Sequence, residues 1–249
     1  MPRYRLTVQY DGTDFCGWQV QPNGRTVQGV LEEAIARLNG SARRVTAAGR
    51  TDAGVHASGQ VVGLTLDRPF PPDTLLRALN ALTPVDVTVT AAVIVDDRFD
   101  PRRDASSRVY TYRIWNRPWP SPFWRRFAWH VPRALDVAAM RAAAAVLVGE
   151  HDFSAFRAAG CDAAHARRVV HASAVERRDT IVTYTVEANA FVRCMVRNLV
   201  GTLVEIGLGA RPVTDVERLL AQGDRTAAGV AAPPHGLVLV RVAYDRVRP

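Results

Sequence analysis

The sequence predicts an α+β protein built from two halves, each with the element order β-α-β-β-α-β. Three observations support this fold class. Segments of alternating polar and apolar residues, which are typical of half-buried strands, flank segments with apolar residues at helical spacing. Glycine or proline stands at several of the junctions between them. The same order occurs twice along 249 residues, a length that suits two domains of about 100 to 130 residues each.

The first half contains four predicted strands and two predicted helices. Alternation from Arg3 to Tyr10 predicts a strand that ends at Asp11-Gly12. Apolar residues three and four apart predict a helix over residues 26–38, stopped by Asn39-Gly40. The other predicted elements are short strands at 45–48 and 60–66, a helix from 71 to 82, and a β-rich stretch at 85–95.

The second half repeats the order. Its predicted elements are a strand at 109–115, a helix at 135–148, a hairpin of strands 169–176 and 181–188, a helix at 191–206, an extra short helix at 214–221, and a final strand at 237–244. Arginine, aspartate and proline concentrate at 96–107, which places the domains at 1–100 and 101–249. Two such units are ferredoxin-like, and we expect mixed, mainly antiparallel sheets with a central cleft.

The charge balance favours a polyanionic partner. The chain has no lysine, so its 32 basic residues are all arginine, and against 24 acidic residues they leave a net charge of +8. Arginine binds phosphate oxygens two at a time. The absence of lysine excludes a Walker-type phosphate loop, a Schiff base and a pyridoxal enzyme.

Several classes of protein are not expected from this sequence. It has no uncharged apolar stretch of membrane-spanning length and no secretory apolar region at its start, so we expect a cytoplasmic protein without membrane contact. The cysteines Cys16, Cys161 and Cys194 lie far apart without a Cys-x-x-Cys pair, so no metal site is predicted.

The densest chemical motif is GRTDAGVHA, at residues 49–57. Glycines bracket Arg50 and Asp52 between two predicted strands, where they allow abrupt changes of backbone direction. The aspartate has two interpretations: a turn residue that bonds its own backbone, or an ionised carboxylate that serves as a nucleophile or cation stabiliser. Arg193 and Arg197, expected one turn apart on the helix at 191–206, favour the second because nearby guanidinium groups keep a carboxylate ionised.

Aromatic residues give a second indication. Tyr110 and Tyr112 are expected on one face of a strand. Either one of them stacks on a flipped base, or both are ordinary aromatic residues of a sheet. Residues 98–133 contain nine arginines and two acids, and eight aromatic residues occur from Tyr110 to Trp129, which suits RNA. The alternative is a sheet whose aromatic residues are core and whose arginines are solvated, and for most of the tryptophans this alternative is preferred. His56 and His151 are expected to make local hydrogen bonds.

In this combination the chain resembles the tRNA pseudouridine synthase A (TruA) family over essentially its whole length. Residues 101–105 (PRRDA) depart from the Ala-Arg-Phe-Ser-Ala run that is usual in the family. Besides residues 49–57, the matching segments are Tyr10-Asp11-Gly12-Thr13, Gly17-Trp18-Gln19, Arg108-Val109-Tyr110-Thr111-Tyr112-Arg113, Gly149-Glu150-His151-Asp152-Phe153, Phe156-Arg157, Met195-Val196-Arg197-Asn198 and Pro233-Pro234-His235-Gly236.

The resemblance implies a pseudouridine synthase fold and an isomerase that converts uridine to pseudouridine in the anticodon stem-loop of tRNA, at tRNA positions 38–40. It implies no cofactor and no metal, tRNA rather than DNA as the partner, and a homodimer. The nucleophile of the family falls on Asp52, and its other catalytic residues fall on Tyr110 and Arg197. Substrate binding is assigned to Arg50, Tyr110 and Arg157.

Three questions stay open at this point. Asp52 can attack the sugar carbon, as a retaining glycosidase does, or add to the uracil ring. A non-catalytic RNA-binding protein with paired ferredoxin-like domains accounts for the charge but leaves Asp52 without a role. A small-molecule hydrolase needs a second carboxylate, and none occurs in a comparable motif.

Overall fold

The computed structural model describes residues 1–161 and 163–244, which form two compact units. The first unit contains Met1–Ser106 together with the described residues from Val238 onward, and the second contains Ser107–Leu237. The domains predicted from the sequence, 1–100 and 101–249, differ from these units chiefly in the final strand. That strand belongs to the first unit because its backbone pairs there.

The first unit consists of a sheet and two helices. Its elements are β1 (Arg3–Tyr10), α1 (Val27–Asn39), β2 (Thr46–Ala47), β3 (His56–Thr65), α2 (Pro72–Leu82), β4 (Val87–Val95) and most of β10 (Leu237–Tyr244). Strand β1 lies antiparallel between β4 and β3, and β2 pairs antiparallel with β3. This is the arrangement expected of a split β-α-β unit.

The alternation that predicts β1 corresponds to burial in the structure. Every second residue of the strand, from Tyr4 to Tyr10, is buried in the core. Helix α1 begins where the Thr26 side chain accepts a hydrogen bond from the backbone N–H of Gly29, and it ends at Gly40. The predicted bounds of both elements therefore agree with the structure to within one residue.

Strand β10 follows the second unit in the sequence but pairs with the sheet of the first unit. It runs parallel to β3, with Val238 opposite His56 and Leu239 opposite Ala57. The last two residues of the GRTDAGVHA motif, which begin β3, are thus paired with the start of β10.

The second unit is a four-stranded antiparallel sheet with flanking helices. Its strands lie in the order β5-β9-β8-β7, and β6 pairs parallel with β5. The bounds are β5 (Ala105–Trp115), β6 (Trp129–His130), α3 (Val137–Ala145), β7 (Gly149–Asp152), β8 (Arg167–Arg178), β9 (Ile181–Ala188), α4 (Met195–Gly207) and α5 (Asp215–Gln222). The α+β class with mainly antiparallel pairing is confirmed.

Two predicted helices begin later than expected. Helix α3 starts after Asp136, whose carboxylate accepts a hydrogen bond from the N–H of Ala139. Gly149, which was expected to end this helix, is the first residue of strand β7. Helix α4 starts at Met195 because Cys194 has a left-handed backbone, with φ of 60°. Arg193 therefore precedes the helix, and the expectation that it shares a helical face with Arg197 is wrong.

None of the helices in the described part of the chain is both long and apolar enough to cross a membrane.

Candidate functional site

The GRTDAGVHA motif forms the connection between β2 and β3. Its first residues, 49–55, lie outside regular secondary structure. Asp52 is half-buried and Arg50 is exposed. The backbone turns at Gly54, which has φ of 76°, and the N–H of Val55 donates to the carbonyl of Asp52 at 3.1 Å. This hydrogen bond closes a turn that begins at Asp52.

A second segment, residues 15–18, holds this loop by its backbone. The N–H of Trp18 donates to the Thr51 carbonyl at 3.0 Å, and the N–H of Gly54 donates to the Phe15 carbonyl at 3.2 Å. Gly17 lies so close to the loop that a β-carbon there would be 2.8 Å from the Thr51 carbonyl oxygen. The backbone on both sides of Asp52 is thus tied to a neighbouring segment.

Buried polar side chains hold the loop from the sheet side. The hydroxyl groups of Tyr10 and Thr51 are 2.8 Å apart. The Gln60 amide donates to the Gly49 carbonyl at 2.7 Å and to the Tyr10 hydroxyl at 3.4 Å. Burial raises the pKa of Tyr10 to about 12, with the hydrogen bonds to Thr51 and Gln60 opposing that rise. This cluster is not predicted by the sequence patterns, although Gln60 is a polar residue in an apolar strand.

His56 and His151 make hydrogen bonds, as predicted. The buried His56 accepts a hydrogen bond at Nδ1 from the N–H of Gly12 at 3.0 Å. The Nε2 atom of His151 lies 3.1 Å from the Val148 carbonyl oxygen. Among residues 1–161 and 163–244, no group of three or more histidine, cysteine, aspartate or glutamate side chains is arranged to hold a metal ion.

Strand β5 in the second unit positions the predicted tyrosines. Tyr110 and Tyr112 point to the same buried face. Tyr110 is 8% exposed and meets the ring of Phe191 edge-on, with ring centres 5.0 Å apart. Tyr112 is fully buried and donates to the Pro233 carbonyl at 2.7 Å. Burial raises the pKa of Tyr112, and the nearby positive charge of Arg197 opposes that rise.

The predicted arginines of the second unit have distinct surroundings. Arg197 is half-buried on α4, and its Nε donates to the Ala232 carbonyl at 2.7 Å. Arg157 donates through Nη2 to the carbonyls of Cys161 and Ala163, at 2.6 and 2.7 Å. The guanidinium of Arg157 therefore closes the loop that follows it.

The predicted site residues are divided between the two units. Asp52 and Arg50 belong to the first, whereas Tyr110, Arg157 and Arg197 belong to the second. Within the second unit the structure brings Arg197 close to the strand that carries the tyrosines. The catalytic and substrate-binding roles of these residues stay predictions.

The predicted RNA-contacting segment forms an aromatic surface in the second unit. Trp119 is 80% and Phe123 is 88% exposed, so the alternative that these aromatic residues are core is wrong for both. Residues 105–135 contain six arginines and no acidic residue. Beside them is a cavity of about 240 Å³, lined by Trp115, Pro120, Ser121, Trp124, Arg125, Ala128, Trp129, His130 and His235.

Comparison with known proteins identifies relatives across the whole chain. A family model described as tRNA pseudouridine synthase matches residues 6–102 and 143–245. The tRNA pseudouridine synthase A of Myxococcus xanthus is 52% identical over 98% of this chain and 92% of its own length. Those of Methylobacterium nodulans and Afipia carboxidovorans are 50% and 47% identical over 98% of this chain, covering 96% and 100% of their own lengths.

Proposed function

Because the chain belongs to the tRNA pseudouridine synthase family, we propose that it isomerises uridine to pseudouridine in the anticodon arm of tRNA, at tRNA positions 38–40. The reaction breaks the bond between C1′ of the ribose and N1 of uracil and forms a bond between C1′ and C5. The proton on C5 is lost and N1 gains one, so atoms and charge balance. Because nothing is oxidised or reduced, the isomerisation has no need of a redox cofactor.

We assign the nucleophile to Asp52, and the observation that carries this assignment is how the GRTDAGVHA loop is held. Backbone hydrogen bonds from residues 15–18 and a buried hydroxyl pair restrain the residues on either side of the carboxylate. A restrained, half-buried carboxylate can attack C1′ or add to the uracil ring, and both paths fit this position.

The other residues act on a base that has left the helical stack, which costs a few kcal/mol. Tyr110 stacks on the flipped uracil and accepts the C5 proton, and its slight exposure beside Phe191 leaves an edge accessible. We assign Arg197 to catalysis together with Asp52, and Arg50 occupies the space that the base vacates. Arg157 supports substrate binding through the loop that it closes.

The same proposal extends to partners. The arginine-rich, acid-free stretch at residues 105–135 supplies positive charge and exposed aromatic rings for tRNA. We place the enzyme in the cytoplasm as a homodimer that binds one tRNA across both subunits.

Release of tritium from tRNA labelled at C5 of uridine tests the proposal. The wild-type protein should release label, whereas Asp52→Asn and Asp52→Ala should bind tRNA with unchanged affinity and release none. Chemical mapping of the anticodon arm after incubation then locates the product. Label release by Asp52→Asn contradicts the role of the carboxylate, and product outside the arm contradicts the assigned positions.

The alternative of a non-catalytic RNA-binding protein is favoured by the charge and aromatic residues alone. It requires tight tRNA binding with no label release by the wild-type protein on any unmodified tRNA.

A further inference from the structure

The hydroxyl group of Tyr10 lies at the centre of a buried hydrogen-bond chain that ends beside Asp52. Tyr10 is the last residue of β1 and is 4% exposed. Gln60, on the neighbouring strand β3, is fully buried. Its Nε2 donates to the Gly49 carbonyl and to the Tyr10 hydroxyl. Since the tyrosine oxygen accepts from Gln60, its own proton is available for Oγ1 of Thr51.

The orientation of the Gln60 amide is determined by its neighbours. Reversing the amide places Oε1 against the carbonyl oxygen of Gly49, where two acceptors face each other. In the observed orientation Oε1 is buried without a hydrogen-bond partner among the described residues. The same side chain fixes the start of the GRTDAGVHA loop through its hydrogen bond to the Gly49 carbonyl.

The chain of bonds reaches the loop at two points that bracket Arg50. Gln60 holds the carbonyl of Gly49, and Tyr10 holds the side chain of Thr51. The carbonyl of Thr51 is bound separately by the N–H of Trp18. Residue 51 is therefore held by both its side chain and its backbone, and the next residue is Asp52.

We propose that Tyr10 is a positioning residue for catalysis: its hydroxyl, through Thr51, sets the place of the Asp52 carboxylate without touching the substrate. This inference rests on the proposed function of Asp52. A nucleophile must be held to within about 0.5 Å of its productive place, and a loop outside regular structure reaches that precision only through such bonds. Loss of the hydroxyl should therefore affect the chemical step more than tRNA binding.

Tyr10→Phe removes the hydroxyl and keeps the ring that packs against Trp18. We expect kcat to fall about tenfold, the rate equivalent of the net free energy of one hydrogen bond, with KM for tRNA unchanged. Thr51→Val, which also removes a hydroxyl, should give a similar loss, and Thr51→Ser should restore most of the activity. In the double variant Tyr10→Phe/Thr51→Val the two losses should not add, because both remove the same bond.

Tyr4→Phe is the matched control. Tyr4 lies on the same strand, is fully buried, and its hydroxyl accepts from the N–H of Phe70 and donates to the Phe70 carbonyl, at 2.8 and 2.9 Å. It makes no hydrogen bond to the loop among those observed. Tyr4→Phe should lower the thermal midpoint at least as much as Tyr10→Phe while leaving kcat per folded molecule at the wild-type value.

Two results overturn the positioning role. One is a wild-type kcat for Tyr10→Phe after correction for the folded fraction. The other is an equal loss of kcat in Tyr4→Phe and Tyr10→Phe, which indicates a general effect of stability. Failure of the proposed function is distinguishable from both, because it appears as label release by Asp52→Asn whatever the tyrosine variants do.

Discussion

Gly17 and Gly40 both have a left-handed backbone, with φ of 96° and 79°, yet their surroundings differ. Gly40 ends helix α1, and a β-carbon there meets nothing within 4 Å. At Gly17 the β-carbon lies 2.8 Å from the Thr51 carbonyl oxygen and 3.2 Å from the carbonyl carbon of Asp52. The same substitution therefore separates backbone strain from a steric effect on the GRTDAGVHA loop.

Gly40→Ala should lower the free energy of unfolding by about 1 kcal/mol, the cost of a left-handed alanine. Gly17→Ala should cost about 1–3 kcal/mol more, because the loop must shift to admit the methyl group. It should also reduce label release per folded molecule, whereas Gly40→Ala should not. Urea denaturation and the tritium assay measure both effects. Equal activity in the two variants contradicts a tight fit between Gly17 and the loop.

At the scale of secondary-structure elements, local sequence patterns predict a turn well where a single residue determines its position. The sequence predicts the hairpin between β8 and β9 across residues 177–179; the structure contains this hairpin and places Asp179, with φ of 51°, in the turn, but Arg177 and Arg178 belong to β8. The start of α4 was not predictable in this way. Apolar residues at helical spacing continue through Phe191 and Val192, and nothing in the sequence indicates that Cys194 adopts a left-handed backbone.

The exposed aromatic residues of the 105–135 stretch give a prediction about binding. Trp119→Ala and Phe123→Ala should each weaken tRNA binding by about 5- to 150-fold if the ring stacks on a base. The thermal midpoint should not change, because both side chains are exposed. Fluorescence titration with unmodified tRNA measures the dissociation constant.

Val85→Ala is the control for these variants, because Val85 is a fully exposed apolar residue outside the stretch. It should leave the tRNA dissociation constant unchanged. Unchanged tRNA binding in both aromatic variants, together with a shift from dimer to monomer in mass measurements, assigns this surface to subunit contact instead and overturns the prediction.

Across the whole molecule, buried tyrosines make stability depend on alkaline pH. Burial raises the pKa of Tyr10 to about 12 and also raises that of Tyr112 and Tyr184. Below pH 10 these hydroxyls are protonated in both the folded and unfolded chain. Above pH 10 the unfolded chain loses their protons first, so each tyrosine should lower the free energy of unfolding by about 1.4 kcal/mol per pH unit.

Urea denaturation at pH 8, 10 and 11 measures this slope. Tyr184→Phe removes a hydroxyl that bonds to Ser173. The free energy of unfolding of this variant should fall less steeply with pH, by the contribution of one tyrosine. A free energy of unfolding that stays constant from pH 8 to 11 contradicts the assigned burial effect.

The class of fold was predictable from the sequence, whereas the surroundings of the proposed site residues were not. GRTDAGVHA is contiguous, so Asp52 and Arg50 are visible in the printed chain. The contacts that hold the loop come from Tyr10 and Trp18, 42 and 34 positions before Asp52, and the first depends on how β1 and β3 align. Such register is a property of the folded sheet, and local patterns do not contain it.

Pairing of β10 with the start of β3 has a consequence for biosynthesis. The strand that anchors the end of the GRTDAGVHA loop finds its parallel neighbour only after residues 238–239 have left the ribosome. A nascent chain that has emerged as far as α5 carries every assigned catalytic side chain but lacks that neighbour. The first unit can therefore assume its final form only after residues 238–239 have been synthesised.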